Sequence, residues 1–214
     1  EPVYGDRDTI ELEKIKALGL PFWLAGCWGT PEKLQEAISL GAEGIQIGTA
    51  LAFSKESGFT DAIKKLTIEN IHKGTASVFT DPSASPTGFP FKVLSLEGSL
   101  SEDETYQERP RMCDLGYLRH LYEKSDGKVG YRCPAEPASV FVAKGGNADD
   151  IQGKKCLCNA LMSNIGLGQM RKSGYCEKNL VTSGDGIMTI SRFLKDNASY
   201  KAEDVINWLL EGAV

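Results

Sequence analysis

Histidine is nearly missing from this chain. His72 and His120 are the only two in 214 residues, so the commonest general acid–base side chain is scarce. His72 ends a surface-helix pattern and is expected in solvent, while His120 in "YLRHLY" suits packing; neither is assigned to chemistry. Long apolar runs are also missing: none approaches the roughly 20 residues that span a bilayer, and no secretory signal opens the sequence. Basic charge is not in excess, with 24 Lys and Arg against 29 Asp and Glu, a net charge of −5. That balance argues against general attraction to nucleic acid or an anionic membrane. Paired Cys-x2-Cys spacing is absent. The six cysteines are scattered over a chain too long to need disulfide staples, so they read as reduced thiols and a cytoplasmic location is expected. Without a secretory signal the sequon Asn197-Ala198-Ser199 is incidental. The chain opens at Glu1 with no initiator Met, as a truncated or excised chain would.

What is present suffices for a core: 41% of residues are hydrophobic and 25% charged, enough for one domain or one domain with an appendage. Residues 8–18 carry Ile10, Leu12, Ile15 and Leu18 at helical spacing, stopped by Gly19. "PFWLA" (21–25) reads as a buried strand. Thr30 caps the next helix, Pro31 suits its first turn and Glu32 its positive end. Leu34, Ala37, Ile38 and Leu40 form its apolar face, and Gly41 takes the left-handed cap. "GIQIGTA" (44–50) is a second buried strand, and 60–71 a second amphipathic helix with Ile63, Leu66, Ile68 and Ile71. Such alternation with short connections argues for parallel strands and crossover helices. Residues 80–112, rich in Pro, Ser, Gly and Glu, read as an ordered but irregular excursion. A helix is expected around 156–167, and Val205, Ile206, Leu209 and Leu210 mark a docking helix over 202–212.

Both strands end on a glycine: Ala25-Gly26-Cys27, then Gly48-Thr49-Ala50. A glycine lets the backbone approach an anion closely, and adjoining N–H groups supply donors. Thr49 adds a hydroxyl. Plain strand-to-helix turns have the same spacing, so spacing alone leaves both readings open.

The stretch "PFWLAGCWGTPEKLQEAISLGAEGIQIGTALAFSKESG" resembles the closing strands of the nitronate monooxygenase (2-nitropropane dioxygenase) family, whose barrel ends with an Ala-Gly-Gly turn and a Gly-(Val/Ile)-Gln-x-Gly-Thr strand end. FMN-dependent enoyl reductases look similar there. "TDPSASPTGFPFKV", "RPRMCDLGYLR", "YRCPAEP" and "KCLCNALM" resemble a longer subgroup with an extra C-terminal segment. The resemblance implies the C-terminal part of a flavin-binding (β/α)8 TIM barrel over residues 1–78, followed by a mixed, mostly irregular and helical tail over 79–214. It implies FMN as cofactor, with Gly26 and Cys27 at the Gly-Gly phosphate turn, Gly48 and Thr49 at the Gly-Thr contact, and Gln46 directed toward the flavin or the core. Cys27 replaces the second glycine and must hold a backbone angle that favours glycine. The family's catalytic histidine belongs to a Gly-Gly-His motif that this sequence lacks, so no catalytic residue is assigned.

The implied activity is oxidation of a nitronate by oxygen. Enoyl reduction is an alternative, and a non-catalytic piece that anchors the FMN phosphate is another of a different class. A small-molecule substrate is expected, together with the N-terminal part of a barrel or self-association, because two parallel strands cannot close a barrel. "GLGQMR" (166–171) lacks the third glycine of a dinucleotide fingerprint. "NADDIQG" and "SGDG" miss calcium-loop spacing and read as turns. Ser83, Ser85 and Ser101 have no His–Asp arrangement. Cys113, Cys133, Cys156 and Cys158 admit two readings, a tetrahedral thiolate site or buried thiols, and no metal ligand is assigned.

Overall fold

The structure, a computed structural model, describes residues 3, 5, 6 and 9–211. The described residues divide into a central unit, 79–182, and a terminal unit that joins those up to 78 to 183–211.

In the terminal unit, β1 (Trp23–Ala25) and β2 (Gly44–Gln46) pair in parallel, Trp23 opposite Gly44 and Ala25 opposite Gln46. A short helix α1 (Leu12–Lys16) precedes them, and Gly19 beyond it has φ +66°. The crossover helix α2 (Pro31–Ser39) begins as its sequence dictates. The Thr30 hydroxyl accepts the Lys33 N–H at 3.3 Å and Pro31 occupies the first turn; Gly41 follows with φ +88°, a left-handed angle that glycine adopts without strain. Leu24, Ala37 and Ala42 form the small core here, with Phe22, Trp28, Leu40 and Ile45 packed against it.

Two details depart from expectation. The strands are not buried on both faces: Leu24 is inside but Trp23 is 51% exposed, and Gln46 is exposed. Ile38 likewise faces outward, leaving Ala37 as the fully buried residue of that helix's apolar stripe.

From β2 the chain enters α3 (Thr49–Ala52) and then α4 (Asp61–His72), which buries Ile63, Ile68 and Ile71 while Leu66 is only half-buried. Lys64, also on α4, turns its ammonium onto the carbonyls of Lys55 and Ser57, at 3.1 and 2.8 Å. Those bonds satisfy a largely buried cation. The returning segment forms a 3-10 turn (Asp185–Ile190), α8 (Ser191–Leu194) and α9 (Ala202–Glu211). α9 docks against α2, α3 and α8 through Val205 and Leu209, one helical turn apart. Ile206 and Leu210 are about half exposed, at 49% and 55%, so the docking stripe is narrower than the apolar pattern suggested. The Tyr200 hydroxyl donates to the Ala50 carbonyl at 2.6 Å, tying this segment to α3.

The central unit holds more regular structure than its Pro- and Ser-rich sequence led us to expect. β3 (Val78–Asp81) pairs with β4 (Phe91–Leu94), and α5 (Asp103–Gln107) follows. The Asp81 carboxylate accepts the N–H groups of Ser83 and Ala84 at 2.8 and 3.0 Å, a side-chain turn that ends the strand. β5 (His120–Glu123) and β6 (Val129–Arg132) form an antiparallel hairpin, His120 opposite Arg132. Its turn contains Asp126-Gly127, with Gly127 at φ +76°, a common hairpin pair. α6 (Ala138–Ala143), a 3-10 turn (Ala148–Ile151) and α7 (Leu157–Asn164) complete the unit. Its core gathers Val93, Leu100, Tyr106, Leu157, Ala160 and Leu180.

A buried ion pair crosses this core. Arg109 Nε and Nη2 donate to the two Glu177 carboxylate oxygens at 2.5 and 2.9 Å, with both side chains fully enclosed. Arg171 forks onto Asp114, and Asn159 donates to Asp114 at 2.5 Å.

The class is therefore mixed α/β, built from short helices and two-stranded sheets, with no closed barrel among the described residues. β1, α2 and β2 form a strand–helix–strand unit with parallel pairing. The tail expected as one extension over 79–214 divides, because residues from Ser183 onward pack with the opening segment. No helix of the described residues is long and apolar enough to cross a membrane.

Candidate anion-binding site

The two strand ends open into one cavity of about 350 Å³ within the terminal unit. Gly26, Cys27, Gln46, Gly48 and Thr49 all line it. Parallel pairing explains the convergence: the strands run in register, so the loops leaving their C-terminal ends lie side by side.

At the first turn Gly26 has φ +78° and Cys27 φ +54°. Cys27 thus holds a left-handed angle, a conformation that is uncommon for a residue with a Cβ and concentrates at functional positions. Outside the strand and helix ladders neither N–H has a protein acceptor among the described residues, and both residues are exposed. Close behind the turn, a Cβ placed on Gly29 would lie 2.6 Å from Ile47 Cγ2; glycine there lets the two loops approach.

The second turn differs. Gly48 has φ −112° and ψ −59°, which any residue can adopt, and a Cβ built on it meets no atom within 4 Å. Its backbone therefore needs no glycine; the space beside it is open. Thr49 Oγ1 accepts the Gly184 N–H at 2.9 Å. With a lone pair so occupied, the hydroxyl proton remains available to donate to an acceptor in the cavity.

Sequence reasoning missed the third wall. Gly184, Asp185, Gly186 and Thr189 line the same cavity, although "SGDG" reads only as a turn. The single sequence signal was a glycine pair far from the strands. A Cβ on Gly184 would sit 2.8 Å from Thr49 Oγ1. Gly184→Ala should therefore displace the Thr49 hydroxyl and weaken anion binding about tenfold, roughly one charge-assisted hydrogen bond. Phosphate titration by calorimetry against the parent chain measures this.

Neither histidine belongs to the cavity. His72 Nε2 donates to the Asn197 carbonyl at 3.0 Å, and His120 is an exposed residue of β5 in the other unit. Near one rim, Arg192 forks onto Glu32 with Nη1 to Oε2 at 3.0 Å. The hydrogen bond from Arg192 first, then those from backbone and Thr30, hold the Glu32 carboxyl down at about 2. No protein-family model, curated protein or solved structure matches the chain.

Proposed function

We propose that the terminal unit anchors the phosphate of FMN in an oxidoreductase of the nitronate monooxygenase type. The observation that carries this reading is the meeting of Gly26, Cys27, Gln46, Gly48 and Thr49, chosen from sequence, around one cavity. The fit of those groups to a phosphate is favourable. The backbone of the Gly26–Cys27 turn, one hydroxyl able to donate, and an open side at Gly48 match an oxyanion met by several donors.

In this reading the Gly26 and Cys27 N–H groups and the Thr49 hydroxyl bind phosphate oxygens. Gly184 orients Thr49, and Gln46 presents its amide toward the remainder of the ligand. FMN, when bound, supplies electron-pair transfer from a nitronate and reaction with oxygen. This chain's own residues bind and orient; no side chain among them is assigned a proton-transfer role. Enoyl reduction would use the same anchoring residues.

The structural alternative, a phosphate-anchoring piece without activity of its own, is favoured by one specific observation. The parallel sheet has two strands only, and both its outer edges are unpaired among the described residues. Open edges and exposed Trp23 invite further strands from another polypeptide segment or a second copy.

Titration of the purified chain with FMN and with riboflavin separates these readings from no function at all. FMN should bind at least about tenfold more tightly, since only FMN carries the phosphate. Equal affinities would overturn phosphate anchoring. Anaerobic stopped-flow mixing with a nitronate then asks for flavin reduction. The anchoring-only reading expects none from the isolated chain, and stoichiometric reduction by monomeric protein would sink it.

A further inference from the structure

A second cavity, of about 590 Å³, opens within the central unit, in the size range of small-molecule pockets. Its floor is apolar: Pro86, Pro134 and Phe141 line it and are buried. Missing side chains let these walls close up. A Cβ on Gly146 would run into the Phe141 ring, and one on Gly153 would lie 2.8 Å from Ser83 Cβ.

Arg132, at the end of β6, lines the same cavity. Its guanidinium lies 5.0 Å from the Tyr122 ring centroid and 5.7 Å from that of Phe141. Nη1 donates to the Lys144 carbonyl at 2.8 Å. Those contacts hold the group in place, yet no carboxylate meets it among the described residues. Glu136 is already taken by the Lys144 ammonium at 2.7 Å. Arg132 Nε and Nη2 therefore keep N–H donors without a protein acceptor among the described residues. Lys154 repeats the pattern on the cavity wall. Its ammonium donates to the Ser85 carbonyl at 3.0 Å and has no acidic partner among the described residues. Both cations are half-buried, and a partly desolvated cation without a counter-charge is costly. An arriving anion supplies what both lack.

The mouth has the opposite sign. Asp149 and Asp150, on the 3-10 turn, line the cavity but are exposed. Neither pairs with Arg132 or Lys154. His120, opposite Arg132 across the hairpin, is the remaining ionisable group on the wall.

We infer that this cavity binds a small monocarboxylate with an apolar body, independently of the anion cavity in the terminal unit. The carboxylate sits on Arg132, whose planar fork matches two oxygens, with Lys154 as the second cation. The apolar body lies over Phe141 and the two prolines. The acids at the mouth repel a second negative charge, so a dicarboxylate is disfavoured.

The experiment titrates the full, isotope-labelled chain with 3-phenylpropionate and follows it by NMR. Binding should saturate with a Kd of about 1 mM or tighter. The neutral isostere 3-phenylpropanamide should bind at least about tenfold more weakly, because it brings no charge to Arg132. 3-(4-Carboxyphenyl)propionate, with a second carboxylate at its far end, should lose about threefold or more. Asp149→Asn combined with Asp150→Asn should remove that loss. Arg132→Gln should lower affinity for the acid to that of the amide. If Arg132→Gln fails to fold, shift mapping on the parent chain decides: resonances of Arg132 and Phe141 should move, and those of Gly26 and Gly48 should not. Equal affinity for acid and amide, no saturation by about 10 mM, or shifts confined to the terminal unit overturns the inference. A dicarboxylate that binds the parent chain as well as the monocarboxylate overturns the selectivity for a single charge.

Discussion

Gly48→Val is expected to abolish tight FMN binding while leaving the chain folded. The reason lies in the separation of two roles that glycine often combines. At Gly26 the left-handed φ of +78° makes any side chain strained, so loss of binding there would be ambiguous. At Gly48 φ is −112° and an added Cβ meets nothing within 4 Å. Valine therefore costs the protein little, yet its methyl groups fill the open side where the proposed phosphate sits. Two displaced charge-assisted hydrogen bonds, each about 1.5–3 kcal/mol, correspond to a loss of roughly 100-fold or more. The comparison that checks it is FMN affinity in parent and variant, beside circular dichroism and thermal midpoint. An unchanged affinity in a folded Gly48→Val chain would falsify the assigned turn.

The largest stability effect is expected in the central unit. Glu177→Ala should destabilise it by about 3–5 kcal/mol, because Arg109 would be left charged, enclosed and without its carboxylate. The pair's geometry is bidentate and both side chains are fully buried, so water cannot take over. Arg109 Nη1 already has no partner among the described residues, which leaves the guanidinium no spare acceptor. Urea unfolding followed by circular dichroism reads the shift, and a change below about 1 kcal/mol would contradict the enclosed pairing.

The neighbouring pair Arg171–Asp114 adds a pH signature. The hydrogen bond from Arg171, aided by one from Asn159, holds the Asp114 carboxyl below its ordinary range. Its contribution is thus present above the unfolded carboxylate value of about 3.9 and is lost as pH falls through the lowered value. Acid titration of Asp114→Asn should show a shallower loss over that window.

How much of this was legible beforehand varies residue by residue. Thr30-Pro31-Glu32 and Gly41 specify the two ends of α2 locally, through a side-chain acceptor, a fixed φ and a left-handed cap, and the structure places both as read. The spacing of Ile63, Ile68 and Ile71 likewise determined the inward face of α4. Local chemistry can be read from sequence because its causes lie within a few residues.

Other features had no local cause. Whether Trp23, Ile38, Ile206 and Leu210 lie inside depends on which surfaces meet them, and an apolar side chain looks the same either way. The third wall of the cavity, Gly184 to Thr189, stands about 135 positions from Thr49 in the chain, so only folding could join them. Cys133 and Cys156, too, were countable in sequence, but their packing together with Ala135 was not. Sequence by itself determined the helix ends, the amphipathic faces and the two glycine turns, because those follow from backbone angles, capping and periodicity. Tertiary structure alone decided which faces are covered, that residues from Ser183 onward pack with the opening segment, and that distant polar groups share a cavity, because burial and long-range contact are properties of the packed chain.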